Sequence, residues 1–194
     1  ALLEARQNAA RLMEDSINAE FEFLDMGGVL FKVEFEKLSA LEEIGDSVPE
    51  FFVKTNPGEP FKKLSAIASG GELSRIMLAL MKVLAGCDNV GTIVFDEIDT
   101  GVSGKTSSKI GISIKLLSKK RQVICVTHSA QVSSVAHHHF KISKSEIDGR
   151  MQTRVALLDE SERISEIARI LGGVTVTDHA LETARELISQ GNNI

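Results

Sequence analysis

The 194 residues carry 43% hydrophobic side chains and a formal charge of −5. That is enough apolar material for one sizeable core, and the wrong sign for a surface that grips nucleic acid unaided. Cys87 and Cys125 sit in or beside apolar stretches at a spacing that makes neither a metal set nor a disulfide framework, which fits a reducing cytoplasm. No run reaches the length of a membrane span and no charged-then-apolar leader opens the chain, while the alanine at position 1 reads as an excised fragment.

Leu2, Ala5, Ala9, Leu12, Met13 and Ile17 fall at helical spacing with charges between them, predicting a helix over 1–20 with one apolar stripe. So short a segment does not separate a surface helix packed on the domain from the end of a longer coiled coil. After the turn signal Gly27-Gly28, Val29, Phe31, Val33 and Phe35 alternate with Lys32, Glu34 and Glu36, the pattern of a half-exposed antiparallel strand. A second strand is expected over 51–54, followed by a loop at Pro57-Gly58-Glu59-Pro60.

Ser69 is placed to cap a helix over 71–85, so that Ser69-Gly70-Gly71-Glu72 opens it. The glycines let backbone amides approach an anion, and the helix turns its positive end toward it; a phosphate fits there. Apolar strands are predicted at 92–95 and 123–126, parallel and joined by a helix over 104–119. Beyond them the pattern gives a short helix, a hairpin over 138–158 and helices near 160–171 and 177–189. Ser161 is expected to cap the first of these, with Ile164, Ile167 and Ile170 on its core face.

Chemistry gathers where the two apolar strands end. Asp96 and Glu97 follow the first; adjacent strand residues point opposite ways, so one carboxylate can hold a hydrated Mg²⁺ while the other polarises water. Asp96 takes the metal role and Glu97 the base. His128 ends the second strand, where an imidazole can donate to a γ-phosphate or to attacking water.

Other features read as structural. Gly101 to Thr106 contains Gly104-Lys105-Thr106, yet a phosphate-binding P-loop needs its first glycine where Asp99 stands, so Lys105 belongs to the first turn of a helix. On a strand, His137, His138 and His139 would alternate faces and share at most two ligands with one ion. Lys141, Lys144, Arg150 and Arg154 are broken as a basic patch by Glu146 and Asp148.

Taken together, IASGGELSRIMLAL, VFDEIDTGVSG, VTHSAQV and EIARILGG resemble the C-terminal half of an ATP-binding cassette head of the SMC type, and within that family a bacterial DNA-repair member. The resemblance covers the chain from about residue 21. It implies an α/β fold, a mixed sheet with flanking helices, with residues 1–20 the end of a coiled-coil helix and 21–194 the C-terminal lobe of the head. In the family the first half of the head supplies the P-loop, and two heads sandwich two ATP molecules.

The resemblance makes Ser69, Gly70, Gly71 and Glu72 the signature turn that reaches ATP across the dimer, Asp96 the Mg²⁺ carboxylate, Glu97 the catalytic base, Asp99 to Gly104 the D-loop and His128 the switch histidine. The implied partners are the N-terminal half of the same protein, a second copy of the head, and DNA through the full-length protein. The implied setting is the bacterial cytoplasm at the nucleoid, without a membrane. Ala136-His137-His138-His139 departs from the family, which usually has an acidic residue there ahead of a histidine. A non-enzymatic head fragment that only dimerises is the rival reading, and a self-contained P-loop enzyme using Lys105 a third.

Overall fold

The computed structural model describes residues 1–67, 70–87, 89–147, 149–173 and 175–194, with Ile147 described by its backbone. Ser69, and with it the expected serine cap, lies outside the described residues.

Helix α1, Leu2–Phe23, leads into strands β1, Leu30–Glu42, and β2, Gly45–Lys54, which pair antiparallel and are joined by the short β3, Lys62–Lys63. Helix α2, Gly70–Val83, precedes β4, Thr92–Asp96, which pairs in parallel with β5, Gln122–Val126, across helix α3, Gly104–Ser118. The short helix α4, Ala130–Ser134, leads to the hairpin β6, Phe140–Ile147, and β7, Arg150–Leu157; helices α5, Glu160–Gly172, and α6, Asp178–Asn192, complete the chain. Among the described residues the strands form three sheets, β1-β2-β3 antiparallel, β4-β5 parallel and β6-β7 antiparallel, with helices flanking them, as the mixed α/β reading expects.

The main core joins Ile17 and Phe21 of α1, Phe31 of β1, Ile76 and Leu80 of α2, Phe95 of β4 and Ile110 and Leu117 of α3. A smaller cluster, Ala130, Ile167, Ala184 and Ile188, holds α4, α5 and α6 together.

Four local expectations are corrected. The α1 stripe is divided: Ile17 is buried with Ala10 and Phe21 and Met13 packs beside them, while Leu2, Ala5, Ala9 and Leu12 face solvent. Packing on β1 fixes the rotation, because Asn18 exchanges two hydrogen bonds with the Phe31 backbone and Glu14 accepts from Val33 N. Strand β2 begins at Gly45, where a positive φ of 102° makes the turn from β1, so pairing with β1 carries Asp46, Ser47 and Pro49 into a strand that their propensities oppose. The histidines lie in the bend before β6, not on it. Helix α5 is capped by Asp159, which accepts from Glu162 N while Glu162 reaches back to Asp159 N; Ser161 only donates to the capping carboxylate.

Candidate functional site

Parallel pairing of Asp96 with Val126 brings the C-terminal ends of β4 and β5 side by side, so the loops carrying Asp96, Glu97 and His128 leave the same edge. The first turns of α2 are fastened to this edge. Ser74 Oγ donates to Asp96 O at 3.2 Å, and Arg75 Nη1 donates to Ile98 O at 3.3 Å and Thr100 O at 3.1 Å. Gly71 lies so close that a Cβ there would sit 3.3 Å from both Glu97 O and Thr100 O. Gly70, one residue earlier, would meet nothing within 4 Å, so its backbone stays open to an approaching ligand.

Asp96 and Glu97 are both exposed, whereas Ile98 and Asp99 are buried. Glu97 has left the strand: its φ is 54°, in the left-handed region, and Thr100 N donates to Glu97 O at 3.1 Å to close a turn. Strand alternation therefore stops at Asp96, and the direction of Glu97 is set by this turn. A non-glycine residue held there stores backbone strain, a feature that clusters at functional positions. Asp96 offers an exposed carboxylate of the kind that, with phosphate oxygens and water, suits Mg²⁺. Among the described residues no three His, Cys, Asp or Glu side chains group as a complete protein cage for a metal.

Asp99 turns inward. Its side chain is 1% exposed, Thr127 Oγ1 donates to its Oδ2 at 2.6 Å, and Nδ1 of the exposed His128 stands 3.9 Å from that same oxygen. Beneath them the Cys125 thiol is pushed up to about 12, first by burial and then by Asp99 and Asp96, which keeps it an unreactive packing group. The loop from Gly101, whose φ is 73°, ends at Ser103, which caps α3 by accepting from Thr106 N; Lys105 falls in the first turn, as its spacing predicts.

Ser74, Arg75 and Thr127 escaped the sequence reading. Arg75 left a signal, a cation one turn into an apolar helix; Thr127 left none, because its partner is 28 residues away.

The fold defines a class. The chain has the fold of an SMC-type ATPase head, matching the Smc head with coiled coil and joint derived from Pyrococcus yayanosii with a TM-score of 0.57 over 84% of this chain and 29% of that one, at 23% identity. The Smc head bound to the C-terminal domain of ScpA, derived from Pyrococcus furiosus, matches with a TM-score of 0.53 over 85% and 39%, at 24% identity.

Sequence narrows the class further. The chain is similar along its length to the DNA repair protein RecN: 39% identical to that of Halalkalibacterium halodurans over 100% of this chain, 38% to that of Bacillus subtilis over 98%, and 40% to that of Xylella fastidiosa over 96%. It corresponds to their C-terminal part and spans about a third of their length, 35%, 36% and 34% respectively. No model of a known protein family matches the chain. No helix among the described residues is long and apolar enough to cross a membrane.

Proposed function

We propose that the chain is the C-terminal part of an SMC-like ATPase that acts in DNA double-strand-break repair in the bacterial cytoplasm, at the nucleoid. The ATP site forms between two heads of a homodimer. The observation that carries this reading is the joining of the open Gly70-Gly71 helix start and the Asp96-Glu97 turn at one edge by Ser74 and Arg75, in a chain lacking a G-x-x-x-x-G-K-[ST] loop. An N-terminal half of the same protein supplies that loop.

In this reading Ser69, Gly70, Gly71 and Glu72 present backbone donors and a helix N-terminus to the nucleotide bound on the second head. Residues 99–104 form the loop between the two sites. Asp96 holds Mg²⁺, which when bound neutralises phosphate charge; Glu97 takes the proton of the attacking water, and His128 contacts the γ-phosphate. A helix N-terminus contributes about 0.3–1 kcal/mol toward an exposed anion, and at most about 2 kcal/mol when partly buried. That is too little to hold ATP alone but enough to favour closure onto a head already loaded, so nucleotide binding becomes dimerisation and hydrolysis reopens the pair.

Residues 1–20 are the returning end of a coiled coil. Leu2, Ala5, Ala9 and Leu12, exposed on α1 at alternating three- and four-residue steps, supply the seam, while Ile17 and Phe21 anchor the same helix in the head core. DNA is engaged through the full-length protein, since this chain carries net negative charge.

Glu97→Gln in the intact protein is expected to lower kcat for ATP hydrolysis by roughly 10²–10⁴ while nucleotide-dependent dimerisation persists. Turnover at the unsubstituted rate would remove the catalytic assignment of Glu97; absence of hydrolysis by the unsubstituted protein would favour the non-enzymatic module.

A further inference from the structure

Asp99 is a buried carboxylate with acceptor capacity left over. One oxygen, Oδ2, accepts from Thr127 at 2.6 Å, and the other, Oδ1, is buried with no hydrogen-bond partner among the described residues. An orphaned carboxylate oxygen in the interior costs desolvation free energy, and each oxygen can accept more than one hydrogen bond. The imidazole of His128 stands beside Oδ2, the oxygen that Thr127 holds, with Nδ1 3.9 Å away and the side chain 81% exposed.

Thr127 Oγ1 also accepts from Ser129 N at 2.9 Å. The backbone on both sides of His128 is thereby fixed relative to Asp99, while the ring itself stays free to turn.

We infer that Asp99 is a positioning residue for His128: it accepts Nδ1–H of the imidazole and so aims Nε2 out of the edge toward the nucleotide. This rests on the reading of His128 given above and adds what sets its tautomer and direction. Closing 3.9 Å to hydrogen-bond length needs a ring rotation of about 1 Å at Nδ1, which an exposed side chain makes freely. A carboxylate at Nδ1 excludes the tautomer whose lone pair faces it, so the proton sits on Nδ1. Nε2 is then left with its lone pair facing out of the edge, where it accepts from a water at the nucleotide. Asp99 accordingly works through its own chain's histidine.

The test is a double-substitution cycle on ATP hydrolysis by the full-length protein, with kcat and KM measured for Asp99→Asn, His128→Ala and the pair. Asp99→Asn keeps the shape but removes the charge and leaves one amide oxygen to accept from both Thr127 and Nδ1. It is expected to lower kcat roughly ten- to a hundredfold, the scale on which an outer partner orienting a functional imidazole acts, with KM within about twofold. In the His128→Ala background the same change is expected to cost less than about threefold, because nothing remains to be positioned.

Equal costs in both backgrounds would make Asp99 a packing residue and overturn the inference, as would unsubstituted turnover by Asp99→Asn or by His128→Ala. Should Asp99→Asn fail to fold, ¹⁵N-histidine NMR of the nucleotide-bound unsubstituted protein decides: Nδ1–H on His128 is expected, and Nε2–H overturns it. If Glu97→Gln abolishes hydrolysis while the cycle is additive, this inference alone falls; if the unsubstituted full-length protein does not hydrolyse ATP, the ATPase reading falls first.

Discussion

Gly70 and Gly71 are neighbours in sequence with opposite surroundings, and a methyl group separates them. At Gly71 it would press on the carbonyl oxygens of Glu97 and Thr100, one of which Arg75 already holds, so the loop bearing the carboxylates has little room to give. At Gly70 it meets open space. Gly71→Ala is therefore expected to destabilise by about 1–3 kcal/mol and to move the Glu97 turn, whereas Gly70→Ala leaves folding stability unchanged or slightly raised. Urea midpoints of the two variants check this, and equal midpoints would show that the loop yields. The glycine pair and the acidic pair were legible in the sequence because each is a local pattern. The inward turn of Asp99 was not, since it depends on Thr127 arriving from β5, and the left-handed Glu97 was not, because alternation along a strand predicts nothing about the residue after it.

His128 lies in the loop between β5 and α4, and α4, a helix too short to hold itself, is held by its neighbours. Lys115 Nζ of α3 donates to Val135 O at 3.1 Å, and Arg163 Nη2 of α5 donates to Ser134 O at 2.7 Å, so two cations satisfy the carbonyls at its C-terminal end. Close approach from both sides is possible because Gly111 of α3 and Gly191 of α6 lack side chains: a Cβ would stand 3.1 Å from Gln131 O and 2.8 Å from Ser134 O respectively.

Glu166 ties α5 to the hairpin in the same manner, with Arg169 Nη2 at 2.7 Å and Lys141 Nζ of β6 at 2.5 Å. Hydrogen bonding to Arg169, followed by Lys141, holds its carboxyl at about 2 against an ordinary 4.5. A carboxylate depressed in the fold contributes stability that is fully present above pH 4.5 and is lost as pH falls toward 2, because the unfolded chain binds the proton first. That contribution is up to about 3 kcal/mol. In urea unfolding, the gap between the unsubstituted chain and Glu166→Gln is expected to be largest above pH 4.5 and to narrow steadily by pH 3; a gap independent of pH would remove the assignment.

Helices and apolar strands were legible because their periodicities are strong. The first half of β2 was not, its Asp46, Ser47 and Pro49 being drafted by pairing with β1. The rotation of α1 was not, because it carries two apolar stripes and only contact with β1 chooses between them.

At the scale of the whole molecule, the unused apolar surface matters most. Val94, Ile124 and Val126 of the parallel pair stand 63%, 46% and 49% exposed, and Phe140, Ile142, Val155 and Leu157 lie exposed on one face of the hairpin, paired across it in register. Buried side chains of this size contribute about 1.5–3 kcal/mol each, so leaving them in water forgoes stability that a covering element would recover. The chain spans about a third of its RecN relatives, and the Smc heads that share its fold are themselves longer than the part it matches.

The proposed half-site makes the consequence measurable in one experiment. ATP hydrolysis is assayed with this chain alone, with a separately expressed N-terminal half carrying the P-loop, and with the two mixed. Turnover is expected only in the mixture, and Glu97→Gln in this chain is expected to abolish it. Unaided hydrolysis by this chain that survives purification and disappears in Lys105→Ala would instead locate a nucleotide site at Gly104-Lys105-Thr106 and overturn the division of the site between two halves.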